Sequence, residues 1–570
     1  MPDFEDFLKQ VAGARPQAVQ AGVGVVVREL LERLDFVKTI DELVEWDPAQ
    51  CKLSPGRRLL ALVAAFVENR KALFRMPQVF ATKDVEVLLG EGVEAEWLND
   101  KALGRALDKL YDADPKKVYS TICFRAVEAY HVIIDRLHAD TTSVSVYGAY
   151  EGEPLSDSLL IARGFSKDHR PDLKQFKAGT VVTREGIPLL GDIFDGNETD
   201  QIWNRNLLPW LSSWLSEEKR KETLFVADSA LVVKENLRRL DEHHYRFVSR
   251  LPNTFGETTV AKADALHGPE DRWVDVGALS EKKDAARYKL FDRHDTIDDR
   301  PYRLIVVHSS KLSEKKEKTL ERKAGKERES LQKAAKALSR ETFRCREDAH
   351  GALEAFLAKE DPQFFEVTAD VWEDTVQPKR SKRGRPSRDE APPPEEKVFS
   401  LEIHIGKRNE KKIEGERQWE STFVLITNDE TLTPKDLFEA YRGQSSVEAA
   451  FRWLKAPVRV SPVFLKRPER VEAFGYVMLM AYLVAALVQK VVRDNLPKGE
   501  KLAVEGWKTA TPTAQTVLDM VSHAQVLIFR PPGERPQRLY VTTDPRVHSI
   551  FDLLRIPADA LLVVRPINSG

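Results

Sequence analysis

Two aspartates stand where apolar, strand-like segments of the sequence end. Asp140 follows the apolar approach HVIIDRLHA and precedes the β-prone alternation TTSVSVYG, and Asp228 closes the apolar segment LFVA. A buried carboxylate is costly unless a partner neutralises it, and divalent cations such as Mg²⁺ prefer carboxylate oxygens as ligands. Two acids of this kind indicate a shared metal site. The alternative is that the acids have only a structural role. The case for this alternative is strong at Asp228, because Asp-Ser before a helix is an ordinary N-cap.

A third acid lies in the segment TLTPKDLFEAYRGQSSVEAAFRWLK, whose Thr-Pro start is typical of a helix. Glu448 stands seven residues after Tyr441 and seven before Lys455. Seven residues are about two helical turns, so Glu448 and Lys455 share a face. Gln444 and Arg452 lie four positions on either side of Glu448 and belong to the same stripe. The segment thus places a carboxylate beside two basic side chains.

This helix has a second interpretation. Gly443 followed by Ser445-x-x-Glu448 is also a capping box, which predicts that the helix breaks at Gly443 and leaves Tyr441 on a separate turn. The structural alternative for the stripe is an amphipathic surface helix without a functional role, with a Glu448–Arg452 pair at i, i+4 spacing.

The three acids together resemble the acidic triad of the DDE transposases, in particular bacterial insertion-sequence transposases of the IS four and IS sixteen-thirty-four type. That family carries its last acid in a Y-(2)-R-(3)-E-(6)-K signature. Tyr441, Glu448 and Lys455 match the signature by spacing, whereas Gln444 occupies the arginine position. Arg442, two places early, and Arg452 are the alternative sources of that positive charge; both lie close to Glu448 in the sequence.

Two further segments contribute to the resemblance. GFSKDHRPDLKQF, residues 164–176 with Lys167 and Arg170, is similar to the stretch between the first strands of these proteins. EWLNDKALGRALDKLYDADP is similar to their N-terminal helices. The resemblance covers most of the chain and is weakest between about residues 255 and 400.

The resemblance implies a cut-and-paste transposase that cleaves at the terminal inverted repeats of its element and joins the 3′-hydroxyl ends to target DNA. Asp140, Asp228 and Glu448 would hold two Mg²⁺ (or Mn²⁺) ions per active site, roughly 3.5–4 Å apart, to activate the nucleophile and stabilise the leaving oxygen. The protein would act on double-stranded DNA as a homodimer in the bacterial cytoplasm, associated with the nucleoid and not with a membrane. The DNA-binding side chains would be Tyr441, Arg442, Gln444, Arg452, Lys455, Lys167 and Arg170.

Two other functions remain open from the residues. An RNase H-like nuclease that cuts DNA without joining it uses the same metal-binding carboxylates. A catalytically inactive DNA-binding protein derived from a transposase is a non-enzymatic alternative. The acidic residues do not separate transposition from simple cleavage.

The order of predicted strands and helices around these residues indicates an α/β fold. Its RNase H-like catalytic core would be a mixed sheet with flanking helices. Residues 1–125 are predicted to be helical and to form a DNA-binding or dimerisation domain, and a helical cap with only a packing role is the equal alternative. Residues 126–254, where strands alternate with helices, form the first part of the core, and residues 421–492 form its last part. Residues 255–420 form an insertion domain with a charged helix and a basic, Pro-rich linker. Residues 493–570 form a C-terminal region that is a candidate for dimerisation.

The spacing of the acids supports this division. The 88 residues from Asp140 to Asp228 fit the strands and helix of an RNase H-like half-sheet. The 220 residues from Asp228 to Glu448 are too many for a direct connection, so an insertion must interrupt the core before its last helix.

A basic segment, KRSKRGRPSR, lies within the Pro-rich linker. Its Arg383-Gly384-Arg385-Pro386 core resembles an AT-hook, in which an extended Arg-Gly-Arg lies in a narrow A·T minor groove. Lys382, Arg383 and Arg385 are therefore candidate DNA-binding residues. A solvated linker with non-specific phosphate contacts is the equal alternative.

Composition limits the remaining classes. The chain has 570 residues, with 88 Lys and Arg against 90 Asp and Glu, and its formal net charge of -2 excludes a uniformly basic DNA coat. Three cysteines far apart in sequence argue against a disulfide framework or a cysteine-rich zinc site. The N-terminus, MPDFEDFLKQ, lacks the basic start and apolar stretch of a secretion signal. The apolar stretch 473–489 is shorter than the roughly 20 residues of a membrane helix and predicts a buried core helix.

Overall fold

The structure is a computed structural model of the chain. It describes residues 11, 14–68, 71–150, 158–167, 170–279, 284–377, 394–454, 465–542, 544–557 and 559–566. The chain divides into two compact units. Unit 1 comprises Met1–Ser249, Thr427–Asp429 and Asp436–Gly570, and unit 2 comprises Arg250–Ile426 and Glu430–Lys435.

Unit 1 begins with a short strand and a group of helices. These are β1 (Gln17–Gln20), α1 (Gly22–Glu32), α2 (Phe36–Leu43), α3 (Pro55–Glu68), α4 (Met76–Phe80), α5 (Val85–Leu89), α6 (Asp100–Asp112) and α7 (Pro115–Ala129). Helix α3, with the sequence PGRRLLALVAAFVE, is apolar on nearly every side, and most of its residues are buried. A helix without a polar face must be covered all round, so α3 forms the centre of this helical group.

A mixed sheet follows the helices. Its strands are β2 (Arg136–Val146), β3 (Lys174–Thr183), β4 (Pro188–Phe194), β5 (Leu224–Ala227) and β6 (Arg246–Arg250), and within unit 1 they lie in the order β4-β3-β2-β5-β6. Strands β2, β3 and β4 are antiparallel neighbours, whereas β5 is parallel to both β2 and β6. The helices that follow β4 and β5 are α8 (Asp200–Trp214), α9 (Glu217–Glu222) and α10 (Lys234–Glu242). Three antiparallel strands continued by parallel ones confirm the predicted α/β fold with an RNase H-like core.

The last part of the core consists of helices. They are α15 (Pro434–Arg442), α16 (Ser445–Leu454) and α17 (Pro468–Asn495). Helix α17 is long and apolar enough to cross a membrane by length and composition, but its apolar window is almost wholly buried inside the protein. It packs against α3, α6, α7 and β4, so it joins the N-terminal helices to the sheet. The predicted buried core helix is therefore present.

The C-terminal elements return to the beginning of the chain. They are β13 (Leu502–Val504), β14 (Trp507–Thr509), α18 (Ala514–Ser522), β15 (Gln525–Phe529), β16 (Gln537–Tyr540) and α19 (Pro545–Leu553). Strand β15 lies between β1 and β16 and is antiparallel to both. The side chains of these elements share one hydrophobic core with the N-terminal helices and α17.

Unit 2 combines antiparallel strands with long charged helices. Its elements are α11 (Gly256–His267), β7 (Val274–Ala278), β8 (Arg287–Ile297), β9 (Arg300–Ser309), α12 (Glu314–Leu338), α13 (Arg346–Glu360), β10 (Phe365–Val376), β11 (Glu396–Arg408), α14 (Glu410–Glu420) and β12 (Thr422–Thr427). Within this unit the strands lie in the order β12-β9-β8-β7, and β10 and β11 form a separate hairpin. Helix α12 buries the stripe Leu320, Ala324, Leu331 and Ala335, and it contacts β11. The charged segment therefore has one packed face and is not a freely solvated arm.

Candidate active site

Asp140 and Asp228 lie side by side in unit 1. Ala139 of β2 pairs directly with Ala227, the last residue of the parallel strand β5, so the residue after each alanine is an aspartate at the same level of the sheet. Asp228 follows the end of β5 as predicted, whereas Asp140 lies inside β2, which continues to Val146 through its pairing with β3. Asp140 Oδ1 accepts a hydrogen bond of 2.7 Å from the Thr141 amide. Asp228 Oδ1 accepts one of 3.0 Å from the Ala230 amide and caps a short 3₁₀ turn. The pairing expected for a shared site and the capping role considered for Asp228 are thus both present.

The pKa of each of these two carboxyl groups is raised. Burial raises the pKa of Asp228, and the charge of Asp140 raises it further. Burial also raises the pKa of Asp140, although the nearby Lys167 ammonium opposes that effect. Two partly buried like charges are tolerated best when a cation lies beside them. The arrangement therefore favours a positively charged occupant.

Lys167 supplies one positive charge beside the Asp140 carboxylate. Its ammonium lies 3.4 Å from Asp140 Oδ1 and donates hydrogen bonds to the Thr141 carbonyl at 2.7 Å and the Thr141 hydroxyl at 3.0 Å. Burial opposes the charged form, but Asp140 and Asp200 outweigh it, and the pKa of Lys167 is raised. The sequence predicted Lys167 as a DNA-binding residue; here its ammonium is directed at the acids.

Asp200 is a member of this cluster that the sequence reasoning missed. It is the first residue of α8, and its two oxygens lie 3.1 Å from Lys167 Nζ and 3.0 Å from Lys177 Nζ. Burial raises the pKa of Asp200, but Lys167, Thr141 and Lys177 together lower it. The signal in the sequence is weak because an acid in the first turn of a helix is ordinary.

Glu448 lies on α16, which packs against β2, β3 and α17. Val447, Phe451 and Leu454 form the buried stripe of this helix, whereas Glu448 and Arg452 are exposed. In the part of the chain that the structure describes, no group of three His, Cys, Asp or Glu side chains is close enough to hold a metal ion. The structure thus brings Asp140 and Asp228 together and places Glu448 on a helix beside their sheet, without joining its carboxylate to theirs.

The predicted helix break at Gly443 is confirmed. Helix α15 ends at Arg442 and α16 begins at Ser445. A Cβ added at Gly443 would lie 3.0 Å from both the Ala440 carbonyl oxygen and Cε1 of His138, so a side chain there would be crowded. The glycine lets this turn approach the strand that carries Asp140.

The turn also separates the signature residues. Gln444 is buried, Tyr441 is half-buried, and Arg442 is exposed. Tyr441 and Glu448 therefore lie on two helices and not on one continuous face.

The remaining candidate residues are scattered. Arg170 is exposed and makes a bidentate pair with Asp172, at 2.8 and 2.7 Å. Lys455 and the basic linker residues Lys382, Arg383 and Arg385 lie outside the described residues.

Comparison with protein families agrees with this arrangement. Residues 139–484 match the family model described as "Transposase DDE domain", and residues 22–124 match a domain of unknown function (DUF4277). No curated protein matches the chain. The first match begins one residue before Asp140 and spans more than half of the chain. The chain therefore belongs to the DDE transposase family, whose members act on DNA and generally use divalent metal ions.

Proposed function

We propose that this transposase is a cut-and-paste enzyme of the YREK-signature, IS four and IS sixteen-thirty-four type. It cleaves at the terminal inverted repeats of an insertion sequence and joins the freed 3′-hydroxyl ends to target DNA. The observation that carries the proposal is the register of β2 and β5, which sets Asp140 beside Asp228 inside the matched transposase domain.

The proposed metal ligands are Asp140, Asp228 and Glu448. The fit of a cation is supported by the two adjacent carboxylates with raised pKa and by the Lys167 ammonium that Asp140 already accommodates. Carboxylates are the preferred ligands of Mg²⁺ and Mn²⁺. Two such ions, when bound, would activate the attacking oxygen and stabilise the leaving oxygen of the phosphodiester.

The chain's own residues would bind and orient the DNA. Arg442 and Arg452 are exposed on the two helices beside Glu448, where guanidinium groups suit phosphate oxygens. The other proposed DNA contacts are Tyr441, Gln444, Lys455, Lys167, Arg170, Lys382, Arg383 and Arg385. The basic linker would add minor-groove or phosphate contacts through its Arg-Gly-Arg core.

The domain roles follow from the same proposal. Residues 1–125 would bind DNA or dimerise, residues 126–254 and 421–492 would form the catalytic core, residues 255–420 would form the insertion, and residues 493–570 would contribute to dimerisation. We propose a homodimer that bridges two transposon ends in the bacterial cytoplasm.

The decisive experiment is incubation of the purified protein with labelled element ends, Mg²⁺ and a target plasmid. We expect joined products, and we expect Asp140→Ala, Asp228→Ala and Glu448→Ala each to abolish cleavage. Glu235→Gln, which neutralises an exposed acid paired with Arg239, is the matched control and should retain cleavage. Nicked products without joining would favour a metal-dependent nuclease. Full cleavage by all three alanine variants would exclude the assigned triad.

A further inference from the structure

The charges around Asp140 form a connected group beyond the proposed triad. Asp200 holds two ammonium groups, with Lys167 Nζ at 3.1 Å from one oxygen and Lys177 Nζ at 3.0 Å from the other. Lys177 lies on β3 and its side chain is 5% exposed, so one end of the group is fixed in the interior. Lys167 forms the other end and reaches Asp140.

The hydrogen bonds of Lys167 decide how it is held. An ammonium group has three donors. The three shortest contacts of Lys167 Nζ are the Thr141 carbonyl at 2.7 Å, the Thr141 hydroxyl at 3.0 Å and Asp200 at 3.1 Å. Asp140, at 3.4 Å, is the longest of the four contacts. Thr141 and Asp200 alone can therefore satisfy the ammonium, and Asp140 can accept another cation without leaving a donor of Lys167 unpaired.

We propose that Asp200 is a positioning residue that anchors Lys167 as a fixed positive charge beside Asp140, where that charge competes with a divalent cation for the Asp140 carboxylate. The inference rests on the proposed metal site. Its consequence is that Lys167 weakens metal binding to the DNA-free protein. Asp200 limits this weakening, because as the second anion of Lys167 it keeps the anchored ammonium from moving closer to Asp140 than 3.4 Å.

Mn²⁺ titration of the full-length protein without DNA, followed by the electron paramagnetic resonance signal of free Mn²⁺, measures this competition. Lys167→Met removes the competing charge, and we expect it to tighten Mn²⁺ binding about tenfold. Asp200→Asn removes the second anion of Lys167 and drives the ammonium towards Asp140, so we expect binding to weaken about threefold or more. The two variants thus change the affinity in opposite directions.

A general field effect would have the same signs, so the double variant is needed. If Asp200 acts through Lys167, Asp200→Asn changes Mn²⁺ affinity by less than about twofold in the Lys167→Met background. Equal effects of Asp200→Asn in both backgrounds would overturn the positioning role. An unchanged or weaker affinity in Lys167→Met would overturn the competition.

Matched variants separate this inference from the proposed function. Lys174→Met removes an equal charge from an ammonium held by the Ala149 and Tyr150 carbonyls, and it should change the affinity less than about twofold. Asp140→Asn should abolish the site; if it binds Mn²⁺ like the unmodified protein, the proposed metal site and this inference both fail. If Asp140→Asn abolishes binding and Lys167→Met does not tighten it, only this inference fails. Lys167→Gln replaces Lys167→Met if the latter does not fold.

Discussion

Asp140 and Asp228 are neighbours because the alanines before them, Ala139 and Ala227, are direct partners in the parallel pairing of β2 and β5. The backbone register alone sets the two aspartates at one level of the sheet. Both acids lie where burial raises their pKa, and Asp140 raises that of Asp228 further. The fold therefore keeps two like charges close together, which a sheet without a functional site would be expected to avoid.

The first prediction is that neutralising Asp228 lowers DNA cleavage without lowering the stability of the protein. In Asp228→Asn the amide oxygen can still accept the hydrogen bond from the Ala230 amide, while the charge that Asp140 repels is removed. We expect the Tm at about pH 8 to equal or exceed that of the unmodified protein, and DNA cleavage to fall at least about 100-fold. Scanning calorimetry and the labelled-end assay measure the two effects.

The comparison variant is Asp140→Asn, which also removes one charge of the pair but takes the carboxylate from Lys167. It should lose activity to a similar degree and gain less stability than Asp228→Asn. A large drop in Tm for Asp228→Asn would contradict the like-charge explanation.

A second prediction concerns pH and Glu472, in the first turns of α17. Burial and the charges of Asp192, Asp114 and Asp195 raise its pKa from 4.5 to about 7. Between these values the folded protein keeps a proton that the unfolded chain releases, so the free energy of unfolding falls as the pH rises through this window. Glu472→Gln removes the loss, and we expect about 1–3 kcal/mol more stability at about pH 8 and little change at about pH 4.

Thermal unfolding of both proteins across this pH range checks the prediction. Glu235→Gln, at an exposed acid, serves as the control and should leave the pH profile of Tm unchanged. Parallel profiles for the unmodified protein and Glu472→Gln would show that Glu472 does not hold the proton.

A third prediction concerns the close approach of a helix to the sheet. A Cβ added at Gly179 of β3 would overlap the indole ring of Trp203, which is buried on α8. Because an indole in a packed core cannot retreat, Gly179→Ala should destabilise the protein by about 3 kcal/mol or prevent folding. Denaturant unfolding measures the change. Gly24→Ala, in α1 with its nearest contact at 3.9 Å, should be neutral or stabilising by up to about 1 kcal/mol.

The fourth prediction concerns an ion pair between the two ends of unit 1. Arg538 of β16 makes a bidentate pair with Asp84, at 2.6 and 3.0 Å, and also contacts Glu86 at 2.7 Å. The side chains of Arg538 and Asp84 are 6% and 2% exposed. Arg538→Met leaves a buried carboxylate without its cation, and we expect a loss of about 3–5 kcal/mol.

The control for this ion pair is Lys318→Met, which breaks an i, i+4 pair with Glu314 in which both side chains are largely exposed. It should change the free energy of unfolding by less than about 0.5 kcal/mol. Equal effects of the two variants in chemical denaturation would contradict the role assigned to burial.

Local patterns in the sequence predicted many of the strands and helices around the site. The apolar segments before Asp140 and Asp228 predicted strands that end at acids, and the capping box at Gly443 predicted the helix break. The break is present and β5 ends just before Asp228, because strand formation and capping depend on nearby residues. The prediction is wrong at Asp140, since pairing with β3 extends β2 to Val146 and leaves this acid inside the strand. The apolar stretch within α17 likewise predicted a core helix, since nothing but packing against other elements can cover such a surface.

The candidate site was only partly predictable. The sequence did not predict Asp200, because its place in the cluster depends on ion pairs with Lys167 and Lys177, which are distant in sequence, and not on its own segment. The resemblance predicted Lys167 as a DNA contact, and the fold adds a contact of its ammonium with Asp140, at 3.4 Å. A basic residue in a sequence has no visible partner, and only the fold supplies one.

The sequence by itself determined the chemical types of the site: two acids next to apolar, strand-forming segments, a third acid in a signature helix, and the strands and helices that carry them. Tertiary structure decided which of these meet. The register of β2 with β5 joins Asp140 to Asp228, and the pairing of β1 with β15 brings the two ends of the chain into one core. Such long-range pairings depend on the whole set of packed faces, and local propensity contains no information about them.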